Sequence, residues 1–132
     1  MNTTNKILSE ISAGELMDKI TILEIKKVKI TDPEKQVIIN KELNSLHSTY
    51  KTSLTPSPEL QEQTTKLKTI NLKLWDIEEK KRECERQKDF GDTFVQLARS
   101  VYIENDNRAK IKAEINRVTN STISEVKSYK AY

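Results

Sequence analysis

The chain of 132 residues contains only two glycines and three prolines. A sheet protein with many tight turns needs more of both, because glycine and proline supply the backbone angles of most turns. Charged residues make up 33% of the sequence and hydrophobic residues 35%. This balance is typical of long helices with much solvated surface. The sequence therefore predicts an all-α fold.

Cys84 is the only cysteine, which excludes an internal disulfide and a cysteine-based zinc site. It follows Ile77 by two helical turns on an apolar face, so we expect a buried thiol. No stretch approaches the roughly 20 apolar residues of a membrane-spanning helix, and the first residues do not resemble a signal peptide. We expect a cytoplasmic, intracellular protein that does not act at membranes.

The net charge of +3 is small, and its distribution carries more information than its sum. Lys and Glu interleave over residues 78–83, which predicts a solvated helix face with pairs one turn apart. Basic residues form no stripe interleaved with aromatic residues, and aromatic residues are only 5% of the chain. This pattern disfavours a dedicated nucleic-acid-binding protein.

Capping residues and apolar side chains at helical spacing predict four helices in a single domain, residues 1–132. A flexible lead-in covers 1–11, a linker 51–57 and a tail 121–132. The helices are expected over about residues 13–30, 33–50, 58–88 and from the turn at 89–92 to Val118. The predicted N-caps are Ser12, Asp32, Ser57 and Asp92, with Glu15 completing a capping box at Ser12. In helix two, the predicted inward side chains are Val37, Ile38, Leu43 and Leu46.

The short turn before helix four predicts that helices three and four lie antiparallel and form a long hairpin. The four helices built on this hairpin are expected to form a bundle or a coiled-coil-like fold. Such a pairing places Asn71 near Arg108. Helix one is apolar on two sides: Leu16, Ile20 and Leu23 on one, Ile22, Ile25 and Val28 on the other. A helix of this kind is sandwiched between neighbours or subunits, which favours a homodimer.

Polar residues interrupt the apolar stripe of helix four. Phe94, Leu97, Ala98, Val101 and Ile115 fall on one face, and Asn105, Arg108 and Lys112 fall in the middle of that face. Charges on a core-facing face need partners, because an unpaired buried charge is costly. Either carboxylates of the bundle pair with them, with Glu24, Glu78 and Asp106 as candidates, or they line a cleft that accepts an anion.

The second alternative predicts a binding site for a carboxylate or phosphate. Arg108 and Lys112 would hold the anion, and Tyr102 and Trp75 would stack on its apolar part. The candidate ligand-binding residues are Glu24, Lys27, Asn71, Trp75, Asp76, Tyr102, Asn105, Arg108 and Lys112. The first alternative is a layer of mutually paired charges that fixes how the helices align.

Enzymatic alternatives rest on weaker patterns. A metal-dependent nucleotide pyrophosphatase would use acidic pairs such as Glu15 with Asp18 and Glu79 with Glu83. A helical mutase would surround a dianionic substrate with Lys27 and Arg108. The sequence offers no catalytic triad, phosphate-binding loop or metal-ligand spacing, and we expect no cofactor and no metal. The leading hypothesis is a non-enzymatic dimeric helical adaptor that acts on another protein.

Three stretches carry a resemblance that covers about residues 12–129. They are Gly14–Lys26, Leu74–Glu78 and the run from Asp89 to Asn116 that includes Asn105 and Arg108. The chain resembles a family of small uncharacterised helical proteins of bacteria and marine phages. The resemblance implies the same fold boundaries and brings no established activity.

Overall fold

A computed structural model describes residues 5–123 and 125–132. It contains four helices: α1 (Ala13–Lys29), α2 (Pro33–Ser53), α3 (Pro58–Gln87) and α4 (Asp92–Val118). The described residues form no β-strand, which confirms the all-α prediction. In the same ranges, no helix is both long enough and apolar enough to cross a membrane.

Helix α1 lies at the centre of the fold. It packs against all three other helices, whereas α2 packs against α1 and neither α3 nor α4. Leu16, Ile20, Leu23 and Ile25 are buried, and Ile22 is half-buried. Val28, the last residue of the second apolar side, is 76% exposed, so the expectation for it is wrong. Apart from Val28, the two apolar sides of α1 are covered within one chain, and this pattern alone does not require a second subunit.

The prediction for the inward face of α2 is only partly right. Leu43 is buried and Leu46 packs against the core, but Val37 and Ile38 are exposed. Ile39 takes their place in the core. Because α2 contacts a single helix, only a narrow stripe of its surface is covered.

Side-chain caps begin two of the helices as predicted. Ser12 Oγ accepts from the Glu15 N–H at 3.0 Å, and Ser57 Oγ accepts from the Leu60 N–H at 3.1 Å. Asp32 stands at the N-cap of α2 but makes no capping hydrogen bond with its side chain.

Two predicted boundaries are wrong. Helix α2 continues to Ser53, so the linker is shorter than the predicted 51–57. Gly91, and not Asp92, is the N-cap of α4. The Asp89 side chain closes the preceding turn by accepting from the Gly91 N–H at 3.1 Å, and Asp92 lies in the first helical turn.

The ends of α3 and α4 nearest their connecting turn extend beyond the core. We call residues 72–107 the arm. Cys84 is the only buried residue of the arm, as the sequence predicted for this thiol. At the base of the arm Asn71 contacts Arg108, and within it Lys73 lies 4.0 Å from Glu104. The first of these contacts was predicted from the short turn.

Candidate functional site

Lys112 of α4 lies among three carboxylates. Its Nζ donates to Glu15 Oε2 at 2.8 Å and lies 3.5 Å from Asp18 Oδ2 and 3.6 Å from Glu125 Oε2. The lysine side chain is only 13% exposed. The ammonium group is thus compensated from α1 and from the C-terminal segment.

Asn71 of α3 joins three helices. Its Nδ2 donates to Asp18 Oδ1 at 2.9 Å and to Thr21 Oγ1 at 3.0 Å, both on α1. Its Oδ1 accepts from Arg108 Nη1 of α4 at 3.3 Å. The connected set, which we call the polar layer, consists of Glu15, Asp18, Thr21, Asn71, Arg108 and Lys112. Within the described ranges, every buried side-chain nitrogen and oxygen has a hydrogen-bond partner.

The environment of Lys112 favours its charged form. Burial lowers the pKa of Lys112, but the hydrogen bond to Glu15 and the charges of Asp18, Glu15 and Glu125 raise it more. The net pKa lies above the ordinary 10.5. The ion pairs therefore outweigh the desolvation of the ammonium group, and the lysine is fully protonated at neutral pH.

Glycine at position 14 allows α1 and α4 to approach closely enough to form the polar layer. A Cβ on Gly14 would lie 2.5 Å from the Lys112 carbonyl oxygen. The Gly14 N–H donates to Asn116 Oδ1 at 2.7 Å, and the Ala13 N–H donates to Ser121 Oγ at 3.2 Å. These bonds satisfy free amides of the first helical turn and hold the acidic residues of α1 over Lys112.

The predicted counter-charges are wrong. Glu24 lies 3.3 Å from Lys68, and Glu78 lies 3.1 Å from Lys81 on its own helix. Asp106 lies near Tyr132, and its carboxylate raises the pKa of the Tyr132 hydroxyl. Glu15 and Asp18 supply the compensation, and their spacing was visible in the sequence as an acidic pair. The sequence could not indicate that α1 crosses α4 at the point where this acidic pair meets Lys112.

Among the other predicted site residues, Arg108 belongs to the polar layer, and the rest lie outside it. Arg108 is half-buried and, among the described residues, makes one hydrogen bond and no ion pair. Asn105 and Trp75 are also half-buried, and their side chains bond to no residue within 5–123 and 125–132. Lys27 and Asp76 are exposed. Three of the predicted site residues, Asn71, Arg108 and Lys112, therefore lie in one hydrogen-bonded layer. Glu24 pairs with Lys68 instead.

Three of the four carboxylates considered for a metal site pair with cations of the chain. Glu15 and Asp18 contact Lys112, and Glu83 lies 2.6 Å from Arg86. No group of three His, Cys, Asp or Glu residues suited to a metal ion occurs in the part of the chain that the structure describes.

A groove of about 870 Å³ lies away from the polar layer, between α1, the α2–α3 linker and α3. Met17, Tyr50, Leu60 and Leu72 give it apolar walls, and the Glu24–Lys68 pair lies along it. None of its lining residues belongs to the polar layer. The candidate anion site and this groove are therefore separate features.

A second polar and aromatic surface follows the outside of α4. We call Val95, Arg99, Tyr102 and Asp106 the outer stripe, because steps of four, three and four residues place them on one helix face. Val95 is 46% exposed and Tyr102 is 45% exposed. The Tyr132 ring lies against Tyr102, with ring centroids 5.5 Å apart at an angle of 77°.

Comparison with known proteins places this chain in a family without assigning an activity. The family DUF6165, described as a family of unknown function, matches residues 7–132. No curated protein and no solved structure matches the chain. Since the match covers nearly the whole sequence, the chain belongs to the DUF6165 family of unknown function.

Proposed function

We propose that this protein is a dimeric helical adaptor of the cytoplasm, whose two subunits associate through the outer stripe of α4. The observation that carries the proposal is the exposure of Val95 and Tyr102 at coiled-coil spacing on the arm. Apolar side chains arranged in this way on a helix face are typical of a surface that packs against another helix.

The arm has an incomplete set of neighbours. The core cluster takes Leu60 and Leu67 from α3 and Ile115 from α4, and all three lie outside the arm. Two helices alone leave the apolar residues of their contact half-exposed, and Phe94 and Leu97 are of this kind. Two arms joined through their outer stripes would form a four-helix bundle and remove Val95 and Tyr102 of both copies from water.

The charges of the outer stripe are self-complementary. In an antiparallel pair centred at Tyr102, Arg99 lies opposite the partner's Asp106, and the two Tyr102 rings meet at the axis. A twofold interface repeats each such contact, so one favourable pair counts twice. This geometry supports a second copy of the chain as the partner of the stripe.

The polar layer supports a structural role for the charges of the interior. Lys112 is paired with Glu15 and Asp18, and Asn71 uses both ends of its amide. Paired charges of this kind fix how helices align. The proposal therefore attributes the function to the surface of the molecule and not to the polar layer.

Sedimentation equilibrium of wild type and Val95→Glu tests this function. Burying a valine contributes about 1.5–3 kcal/mol, so the variant should weaken association by about tenfold or more. Val37→Glu is the control, because Val37 is also an exposed valine on a helix but lies on α2. A wild type that stays monomeric at millimolar concentration, or equal losses from both variants, would contradict the proposal.

A charge exchange tests the antiparallel arrangement. Arg99→Asp and Asp106→Arg should each weaken association, because like charges then face each other across the twofold axis. The double variant should recover it. Failure of the double variant to recover would show that the two stripes do not meet in this alignment.

Arg108 supports a second candidate, an anion-binding function. Its guanidinium has five N–H donors and makes one hydrogen bond among the described residues. Asn105 precedes it by one turn of α4, and Trp75 follows Asn71 by one turn of α3. Under this proposal Arg108 and Asn105 bind a carboxylate or phosphate. Inorganic phosphate, citrate and nucleotides should raise the melting temperature of wild type and of Lys110→Met, but not of Arg108→Met.

A further inference from the structure

We propose that the C-terminal segment, described over residues 121–123 and 125–132, forms a strap whose Tyr132 occupies the outer stripe of α4 and competes with the second subunit for it. This inference rests on the proposed dimerisation and describes how that dimerisation is regulated. Residue 124 of the strap lies outside the described residues.

One contact with α1 and two contacts with α4 trace the strap back along the molecule. Near the end of α4, Ser121 Oγ accepts from the Ala13 N–H at 3.2 Å. Further on, Glu125 lies 3.6 Å from Lys112. Finally, the Tyr132 ring lies against Tyr102. As the residue numbers of the strap rise, those of its contacts on α4 fall, so the strap runs antiparallel to α4.

Tyr132 takes both positions that the partner would use. Its ring packs edge-on against Tyr102, where the dimer brings the partner's Tyr102. Its hydroxyl lies near Asp106, whose carboxylate raises the pKa of that hydroxyl, and the dimer brings the partner's Arg99 to the same carboxylate. With its ring against Tyr102 and its hydroxyl near Asp106, Tyr132 makes the strap an internal substitute for the second subunit.

The strap is held by few contacts and can therefore be displaced. Tyr132 is 82% exposed even though it contacts α4, and Val126 is exposed as well. The Glu125 carboxylate is shared between Lys112 and Lys127, whose Nζ lies 2.7 Å away. Exposed ion pairs and edge contacts contribute little stability, because water and salt compete with them.

Sedimentation equilibrium of a chain that lacks residues 126–132 tests the strap. The dimer forms only when the stripes of both subunits are free. If the strap covers each stripe nine-tenths of the time, its removal should therefore lower the dissociation constant of the dimer about a hundredfold. Tyr132→Ala should reproduce most of that change. Tyr129→Ala is the matched control, since Tyr129 is equally exposed and its ring contacts Lys127 of the strap itself.

Each result decides between the two proposals. Tighter association of the shortened chain and of Tyr132→Ala, with no change in Tyr129→Ala, supports the strap. Equal dissociation constants for the full and shortened chains would overturn the strap and leave the dimer in place. If the full and shortened chains both stay monomeric, the dimer fails, and the strap fails with it as a competitor. Equal effects of Tyr129→Ala and Tyr132→Ala would also overturn the strap.

Discussion

The side chain of Arg108 on α4 donates a hydrogen bond to Asn71 on α3 at 3.3 Å. The other end of the same amide is bound to Asp18 and Thr21 on α1. Asn71 is therefore the point at which three helices share one hydrogen-bond network. The contact explains why a polar residue stands at a buried position of α3, and it leads to the predictions below.

Asn71→Ala should destabilise the protein by about 1–3 kcal/mol, because Asp18 loses a buried hydrogen-bond donor. Urea unfolding followed by circular dichroism measures the change. Asn107→Ala is the control, since Asn107 is exposed and bonds only to Glu104 of its own helix. That variant should stay within about 0.5 kcal/mol of wild type. Similar losses in the two variants would show that the network contributes no stability.

Lys112→Met should destabilise the protein more than Arg108→Met. Without Lys112, the buried Asp18 carboxylate has no counter-ion, which costs about 3 kcal/mol. Arg108→Met removes one hydrogen bond from a half-buried group and should cost about 1 kcal/mol. Unfolding free energies in urea give both values. The reverse order would mean that Arg108 is the main cation of the interior.

The contribution of Lys112 should fade in alkaline solution. Its folded-state pKa lies above 10.5, so its stabilisation is complete below pH 10.5 and is lost as pH rises through the higher folded value. The difference in unfolding free energy between wild type and Lys112→Met should therefore be constant from about pH 7 to about pH 10 and shrink above 10.5. Lys110→Met, at an exposed position, should show no such trend. A difference that grows above pH 10.5 would contradict the assignment.

Gly14→Ala should destabilise the protein by about 1–3 kcal/mol, because the new methyl group meets backbone atoms of α4 that cannot move aside cheaply. Gly91→Ala is the matched control. At Gly91 a Cβ would lie 3.4 Å from Asp89 Oδ1, an ordinary contact, and the cost should be under about 1 kcal/mol. Thermal melts of the two variants compare them directly. Equal melting temperatures would show that α1 and α4 can separate without loss.

The sequence predicted the four helices, because caps and apolar spacing are local properties of the chain. Ser12 and Ser57 cap α1 and α3 as expected, and Cys84 is buried. The prediction for Val37 and Ile38 was wrong, because the width of a buried stripe depends on how many helices cover it. Periodicity shows which side chains share a face and does not show what covers that face.

For the polar layer, the sequence by itself determined that charges interrupt the apolar face of α4 and require partners. Only the tertiary structure decided which partners, because Lys112 is 97 residues from Glu15 along the chain and meets it where α1 crosses α4. The close approach at Gly14 sets that crossing. Contacts within a helix follow from residue spacing, whereas contacts between helices follow from packing of the whole chain. The contacts of the polar layer and of Tyr132 depend on that packing.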